Sequence, residues 1–278
     1  MTPLEWTIIV AAISVSAGLL GSLAGVGGGI IVVPALTLLM GVDIRHAIAA
    51  SIVAVVATSS AAASTYVRER MTNIRLGMLL ETATALGAIC GALAAGLLSS
   101  KLLYILFGVI LCYNAWHMSH KREDGQHTIP PDPFADKLSL HASYYDRSLK
   151  RELSYRVSRT KLGLLVSWIA GLVSGLLGVG GGIFKVPLMH LAMGVPIKAA
   201  TATSNFMIGI TASTGAAIYF MRGDVKPFIA APVAIGVIAG SKIGARLLGG
   251  MKLNAVRMAF VVVMAVAAVQ MLYKGLFR

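Results

Sequence analysis

The sequence GVGGGIIVVP occupies residues 25–34, and its near copy GVGGGIFKVP occupies residues 178–187. The two stretches lie 153 positions apart, and at this shift residues 18–91 align with residues 171–244 without a gap. Between residues 18 and 51, 19 of the 34 aligned pairs are identical, far more than an accidental alignment gives. The chain therefore contains two copies of one unit.

The alignment extends well beyond the glycine stretches. It pairs prolines, a tripeptide, a serine, a tyrosine and two glycines: Pro34 with Pro187, Met40-Gly41-Val42 with Met193-Gly194-Val195, Ser51 with Ser204, Tyr66 with Tyr219, and Gly87 and Gly91 with Gly240 and Gly244. Because these positions are spread over most of each copy, the duplication covers the whole unit rather than a short motif.

The composition indicates a membrane protein. Hydrophobic residues make up 57% of the 278-residue chain and charged residues only 13%, whereas soluble domains carry about 25% charged residues. Each copy has five apolar segments, most of them near the ~20 residues that cross a bilayer as a helix. The predicted segments are 4–20, 30–40, 46–67, 74–98 and 102–118 in the first copy, and 162–177, 183–193, 199–220, 228–249 and 253–272 in the second.

These segments predict an all-α, polytopic membrane protein with two inverted five-segment repeats and broken half-helices after the GVGGG turns. Five is an odd number, so the second copy should enter the membrane upside down relative to the first. The first two segments of each copy could instead form a re-entrant hairpin, which leaves three crossings and preserves the inversion. The predicted boundaries are 1–118 for the first repeat, 119–161 for a linker and 162–278 for the second repeat.

The linker is polar and basic, with nine Lys or Arg residues. Residues 138–159 scatter Leu, Tyr and Val among basic residues, which favours one or two surface helices against anionic lipid headgroups, or else a plain soluble linker. Assigning basic residues to the two membrane faces gives 17 on the linker side and six on the side of the termini. The positive-inside rule then predicts a cytoplasmic linker with both termini outside. Topology thus explains the net charge of +13 without nucleic-acid binding.

The glycine stretches predict a break in the middle of the membrane. Each Gly costs about 1 kcal/mol relative to Ala inside a helix, and the apolar runs that follow, interrupted by Pro34 and Pro187, have about 11 residues. Such a run spans ~16 Å, roughly half of the hydrocarbon core. The free N–H groups at the start of a half-helix favour an anion. The candidate substrate-binding glycines are Gly25, Gly27, Gly28, Gly29, Gly178, Gly180, Gly181 and Gly182; the alternative is that they permit tight helix packing.

Polar residues near the glycine turns are further candidates for a substrate site. Lys185 follows the second turn, and an intramembrane Lys is expensive and usually functional; it could bind an anion or could snorkel from a helix end. Ser51, Ser204 and Asn205 supply donors that suit oxyanions, although the same groups also hold helices together.

Other ionisable groups suggest accessory roles. Lys242 and Arg246 lie on one helix face, where they could form a cytoplasmic vestibule for anions or could snorkel. Glu81 and His190 are the intramembrane groups that could exchange protons, although a lone His among apolar residues is more often a packed core residue. The sequence has no metal-ligand spacing and no clustered catalytic constellation, so we expect no metal, no cofactor and no enzymatic activity.

With GVGGGIIVVP and GVGGGIFKVP in a duplicated polytopic chain, the sequence resembles the TauE/SafE family of sulfite exporters. The resemblance implies an all-α bacterial inner-membrane permease for sulfite, thiosulfate or organosulfonates, and sometimes for carboxylates, driven by a gradient without ATP. The family motif carries over to the eight candidate glycines and to Pro34 and Pro187. Lys185 and the long basic linker depart from the family pattern, which leaves the substrate open.

Three hypotheses follow for the function. The first is a secondary transporter, an exporter by the resemblance, that moves small anions by alternating access, coupled to protons. The second is an anion channel of similar build, and the third is a membrane protein that does not transport and instead docks a partner through its basic linker. Saturable, gradient-coupled flux distinguishes the first from the other two.

Overall fold

The computed structural model describes residues 2–24, 27–119, 131–146, 150–248 and 254–277. The first copy comprises α1 (Pro3–Ala24), α2 (Gly29–Pro34) with a π-helical extension (Ala35–Leu39), α3 (Ile44–Arg68), α4 (Ile74–Leu97) and α5 (Ser100–Ser119). The linker contains α6 (Pro133–Lys137), β1 (Ala142–Asp146) and β2 (Arg151–Tyr155). The second copy comprises α7 (Thr160–Leu177), α8 (Gly182–Pro187) with a π-helical extension (Leu188–Ala192), α9 (Ile197–Met221), α10 (Pro227–Leu248) and α11 (Asn254–Phe277).

Within the described residues, five helices are long and apolar enough to cross a membrane, namely α1, α3, α4, α7 and α10. Many large apolar side chains on these helices are exposed on the outer surface of the bundle, for example Leu86 and Ile235. A lipid-facing surface needs such side chains, whereas a soluble protein avoids large contiguous apolar patches. The chain is therefore a helical, multi-pass membrane protein.

Each glycine turn is followed by a short helix whose geometry changes at a proline. Pro34 ends α2 and Pro187 ends α8, and both are followed by five π-helical residues. Proline has no N–H, so it removes one hydrogen bond from the helix and crowds the preceding turn. The widened π turn absorbs this local mismatch.

The first two helices of each copy enter and leave the bundle on the same side. At the start of α1, Trp6 stacks on Phe228 with ring centroids 5.1 Å apart, and close by His46, just after the first half-helix, lies 2.9 Å from the Asp224 carbonyl oxygen. In the second copy, the Ser158 amide at the start of α7 donates to the Met193 carbonyl at the end of the half-helix, over 3.1 Å. In each copy, the start of the first helix and the end of the half-helix therefore lie near each other, which is the arrangement that a re-entrant hairpin requires.

Equivalent helices of the two copies run in opposite directions. The contact of His46 with Asp224 joins the start of α3 to the end of α9. At the other end of the bundle, the Asn73 amide, just beyond α3, donates to Thr203 Oγ1 near the start of α9 over 3.0 Å. The long central helices α3 and α9 are thus antiparallel.

The first helix of each copy packs on the fourth helix of the other copy, backbone against backbone. A Cβ added to Gly87 on α4 would lie 2.1 Å from the Trp168 carbonyl oxygen on α7, and one added to Gly240 on α10 would lie 1.9 Å from the Val15 oxygen on α1. These two contacts are equivalent under the shift of 153 positions. The small-residue motifs at 87–91 and 240–244 therefore permit the helices of each pair to pack closely.

The prediction of surface helices in the linker is wrong. After the short helix α6, the strands β1 and β2 form an antiparallel hairpin in which Tyr144 pairs with Leu153, so the chain also departs from a purely helical fold. On β1, Tyr144 and Asp146 are buried while Ser143 and Tyr145 are exposed, and on β2 Tyr155 is buried. This period-two alternation is typical of a strand. The sequence prediction treated the scattered apolar residues as helical and missed the alternation.

The hairpin is fastened to the helix bundle rather than free in solvent. Lys198 Nζ at the start of α9 lies 2.9 Å from Asp146 Oδ1 on β1. The Asn73 side chain at the start of α4 donates to the Leu140 carbonyl over 2.8 Å. The linker therefore contacts the ends of helices from both copies.

One carboxylate anchors the end of the linker to α7. Asp132 Oδ1 accepts from the Phe134 and Ala135 amides at 3.0 and 3.3 Å, and its Oδ2 accepts from the Thr160 amide and hydroxyl at 2.8 and 2.7 Å. Partial burial raises the pKa of Asp132, but the four hydrogen bonds outweigh it and hold the pKa below its ordinary value. The carboxylate is therefore an N-cap for α6 and a tether for α7.

Replacing Asp132 with Ala is expected to speed protease cleavage of the linker about fivefold, because replacing an N-cap Asp with Ala costs about 1 kcal/mol. A folded-state pKa below the ordinary value means that the stabilisation is full above that value and is lost as the pH falls through the folded-state pKa. Cleavage of the wild-type linker should therefore also accelerate at acid pH. Asp136→Ala, at an exposed carboxylate that pairs with Arg156, is the control; equal effects of both variants would refute the anchor.

Candidate functional site

The two glycine turns meet inside the bundle. A Cβ added to Gly29 would lie 2.4 Å from the Gly178 carbonyl oxygen, so only glycine permits this approach. A Cβ added to Gly27 would lie 3.1 Å from the Val55 side chain of α3 and 3.2 Å from the Ile208 side chain of α9, which are equivalent residues of the two copies. Gly29 thus faces the second turn, whereas Gly27 lies against α3 and α9 and Gly28 lies against Ala17 of α1. Gly25 lies outside the described residues.

The turns use backbone conformations that favour glycine. Gly27, Gly28, Gly180 and Gly181 have φ values of 81°, 77°, 79° and 69°, and Gly178 has 70°. Residues with a Cβ rarely adopt this left-handed region. Gly182 is buried and begins α8.

Polar side chains connect the turns across the two copies. Ser51 of α3 is buried and donates to the Gly178 carbonyl of the second turn over 2.7 Å. Asn205 of α9 donates to the Ser22 carbonyl, just before the first turn, over 3.2 Å, and its buried Oδ1 has no hydrogen-bond partner among the described residues. Ser204 is buried beside Asn205. Each copy therefore supplies a donor to the other copy's turn.

Two tyrosines that sequence reasoning singled out only as a repeat pair also hold the turns. Tyr66 donates to the Ser22 carbonyl over 3.1 Å, and Tyr219 donates to the Gly175 carbonyl over 3.0 Å. These bonds are equivalent under the repeat shift, and both satisfy carbonyls at the last turn of a helix, which lack an intrahelical partner. The signal in the sequence for this shared role was that tyrosine occupies both aligned positions.

A buried charged group lies beside the second turn. Lys185 of α8 is 0% exposed and Glu81 of α4 is 3% exposed, and Lys185 Nζ is 3.6 Å from Glu81 Oε2. Lys185 also donates to Thr211 Oγ1 over 2.9 Å, and this hydroxyl donates to Glu81 Oε1 over 2.7 Å. The snorkelling alternative for Lys185 is wrong, because the ammonium is fully enclosed. The charged neighbour of Lys185 is Glu81.

This charged group occurs at only one of the two positions that the repeat makes equivalent. Under the shift, Lys185 corresponds to Val32, Glu81 to Ala234 and Thr211 to Thr58. Thr58 donates to the Ala54 carbonyl of its own helix over 2.8 Å. Sequence reasoning assigned Lys185 and Glu81 to separate roles, although the signal for pairing them was that both depart from the repeat with opposite charges.

The structure does not join the remaining candidates to this group. His190 lies in the π-helical extension after α8, where its Nδ1 is 3.0 Å from the Val195 carbonyl oxygen. Lys242 and Arg246 are exposed on α10 beside the exposed Ile243. An outward position among apolar side chains fits snorkelling better than a vestibule.

Comparison with known proteins places the chain in a family. The family described as sulfite exporter TauE/SafE matches residues 10–271. The probable membrane transporter protein YunE of Bacillus subtilis is 27% identical over 97% of this chain and 98% of its own length. The probable membrane transporter protein MJ0441 of Methanocaldococcus jannaschii is 28% identical over 83% of this chain and 82% of its own length.

A shorter match is to a plant protein. The TauE/SafE family protein 6 of Arabidopsis thaliana, named as a sulfite exporter, is 31% identical over 39% of this chain and 26% of its own length. No solved structure matches the chain. Because the family match spans nearly the full chain, and the relatives matched along their length are named probable membrane transporters, the chain belongs to the TauE/SafE family of membrane transporters rather than to a class of enzymes.

Proposed function

We propose that this protein is a secondary transporter of small anions, sulfite or related sulfur oxyanions and organosulfonates, working by alternating access around the two glycine turns. One observation carries the proposal: the turns, one from each of two antiparallel copies, contact each other at Gly29 and Gly178 in the centre of the bundle. Paired broken helices at a repeat interface are where secondary transporters bind their substrates.

The chemistry around the turns suits an anion. The half-helices that start at Gly29 and Gly182 direct their N-terminal dipole ends toward the same region, and Ser51, Ser204 and Asn205 add hydroxyl and amide groups. Helix N-termini and such donors stabilise negative charge. In the described conformation the turns pack directly together, so an anion enters when the two copies move apart.

The same proposal sets the membrane topology. The α3–α9 antiparallel pair supports inverted repeats bounded at 1–118 and 162–278, in a bacterial inner membrane. The basic linker lies on the cytoplasmic side by the positive-inside rule, with both termini outside. The sulfite exporter name of the family favours export.

Reconstitution tests this function. Proteoliposomes should take up or release labelled sulfite, thiosulfate or a sulfonate with saturable kinetics, and one anion should compete with another. A channel of the same build would give flux that does not saturate. Folded protein that moves none of these anions would reject the proposed substrate class.

Ser51→Ala is expected to lower the maximal flux about tenfold, because the substitution removes the hydroxyl that joins α3 to the Gly178 carbonyl, and an interhelical hydrogen bond contributes about 1–2 kcal/mol. Ser213→Ala is the matched control, since Ser213 is exposed and its hydroxyl donates within its own helix to Gly209. Equal flux in both variants would assign Ser51 to packing alone.

A further inference from the structure

We propose that Glu81 and Lys185 form the proton-coupling site of the transporter. While Glu81 is ionised it neutralises Lys185, and when Glu81 is protonated Lys185 is left to bind the transported anion. The inference rests on the proposed anion transport and assigns to it a coupling ion and a pair of residues. Its consequence is that a proton and an anion cross together.

The contact between Lys185 and Glu81 is longer than a direct hydrogen bond, which suits the exchange of a proton. Lys185 Nζ and Glu81 Oε2 are 3.6 Å apart, whereas a charge-assisted hydrogen bond is ~2.7–2.9 Å long. Thr211 fills part of the gap, since it accepts from Lys185 and donates to Glu81 Oε1. Glu81 Oε2 has no hydrogen-bond partner within the described part of the chain. This oxygen is therefore the place where a proton can be added without breaking a hydrogen bond.

The pair also stands where transport is proposed to occur. The Lys185 amide donates to the Gly181 carbonyl, so the ammonium belongs to the first turn of the half-helix that starts at the second glycine turn. Thr211 lies near the middle of α9. A charge at this depth is close to the proposed anion path and is sealed from both sides in the described conformation.

The fold itself does not need the charges. The position related by the repeat shift holds Val32 of the first copy and Ala234 of the second, and the helices around it pack in the same way. Replacing a buried ion pair with apolar residues is often neutral or stabilising, and intramembrane charges are costly and tend to be functional. A pair present at one of two equivalent positions and absent from the other therefore points to a task beyond packing.

No other charge within the described residues of the packed helices competes for either partner. On α7 the charged residue is Lys161, which is exposed at the helix start; on α9 it is Lys198, which pairs with Asp146. On α4 Arg75 reaches the Ser139 carbonyl of the linker. The remaining titratable groups on these elements are Tyr219 and His190, which contact the backbone carbonyls of Gly175 and Val195, and Cys90 of α4, which is exposed.

The charge balance fixes the stoichiometry. Ionised Glu81 and protonated Lys185 sum to zero, and one proton added to Oε2 raises the site to +1. A monovalent anion bound at the ammonium restores zero, so the loaded and the empty sites carry equal charge. One proton therefore accompanies each monovalent anion, and outward transport proceeds whenever the anion gradient exceeds the opposing proton gradient.

The test uses proteoliposomes and methanesulfonate, whose charge stays constant over the working pH range. Anion uptake and internal pH are followed together with a trapped pH dye. We expect wild-type protein to move one proton per anion, to accumulate methanesulfonate under an inward proton gradient, and to ignore an imposed membrane potential. Glu81→Gln, of equal size, should lose proton movement, and its remaining anion flux should become sensitive to the imposed membrane potential, because the site is then +1 when empty and neutral when loaded. Glu81→Ala with Lys185→Val, the residues at the position related by the repeat shift, should lose at least tenfold in flux.

A measurement without transport complements these fluxes. Adding methanesulfonate to detergent-solubilised wild-type protein at fixed pH should produce the infrared band of a protonated carboxyl group, and Glu81→Gln should lack it. If wild type transports but Glu81→Gln still moves one proton per anion, or if no carboxyl band forms, the coupling site is refuted and the proposed function stands. If folded wild type moves no sulfur anion at all, the proposed function fails as well.

Discussion

Lys185→Val alone should lower the free energy of unfolding by about 3–5 kcal/mol, which is the usual effect of removing one partner from a buried ion pair. The variant leaves Glu81, 3% exposed, without a counter-charge. Glu81 then has either to remain ionised in an apolar place or to bind a proton, and both states are unfavourable compared with the native pair. Glu81→Ala alone should be destabilising for the converse reason, because it strands the ammonium of Lys185.

The combination of Glu81→Ala and Lys185→Val should recover most of this loss and could exceed the wild type by about 1–4 kcal/mol. It reproduces the residues at the position related by the repeat shift, Val32 of the first copy and Ala234 of the second, so this chain already packs the same residue types at an equivalent position. Unfolding of the four proteins in a detergent titration gives a double-mutant cycle. Single variants as stable as the wild type, or losses that simply add, would show that the two charges do not interact.

This stability experiment separates two roles of one pair. A structural ion pair predicts that the double variant is impaired both in stability and in transport. A coupling site predicts a stable double variant that transports poorly, because charges retained for function need not stabilise the fold. We expect a stable double variant that transports poorly, because the position related by the repeat shift already packs the apolar residues Val32 and Ala234.

The helical part of the fold was predictable because its determinants are local or repeated. Apolar length predicts the long helices, the glycine stretches predict the breaks, and the shift of 153 positions predicts which contacts recur. The linker hairpin was not predicted, since two five-residue strands carry a weak pattern among basic residues and depend on contacts with the bundle such as that of Lys198 with Asp146. Tertiary context overrides propensity in such short segments.

The individual residues of the site were predictable from the sequence, but which of them form a pair was not. Lys185 and Glu81 were each conspicuous as charges in apolar segments, but 104 positions separate them in the sequence and α4 and α8 belong to different copies. Which residues meet across the interface is set by the exchange of helices between copies, a property of the assembled bundle. Comparing each charged residue with its repeat partner narrows the choice, because only a few charges replace apolar residues.

Gly91→Ala is expected to destabilise the protein by about 3 kcal/mol, at the upper end of the usual effect of overpacking. A Cβ at Gly91 would lie 2.0 Å from the Leu172 carbonyl oxygen of α7. A backbone carbonyl cannot move away by a change of rotamer, as a side chain can, so α4 and α7 would have to separate. That separation would also weaken the contacts at Gly87, Gly171 and Gly175, since the same two helices meet there through further backbone approaches.

Gly215→Ala is the matched control, because both substitutions add one methyl group within a helix. At Gly215 the nearest atom to an added Cβ is 3.8 Å away, an ordinary contact, and the residue is buried in α9. Ala also favours helix by about 1 kcal/mol relative to Gly, so this variant should match or exceed the wild type in thermal unfolding. If both variants unfold alike, close backbone approach between α4 and α7 is not what holds the two copies together. If Gly91→Ala alone is unstable, the glycines that mark the repeat also set the distance across which the copies exchange helices.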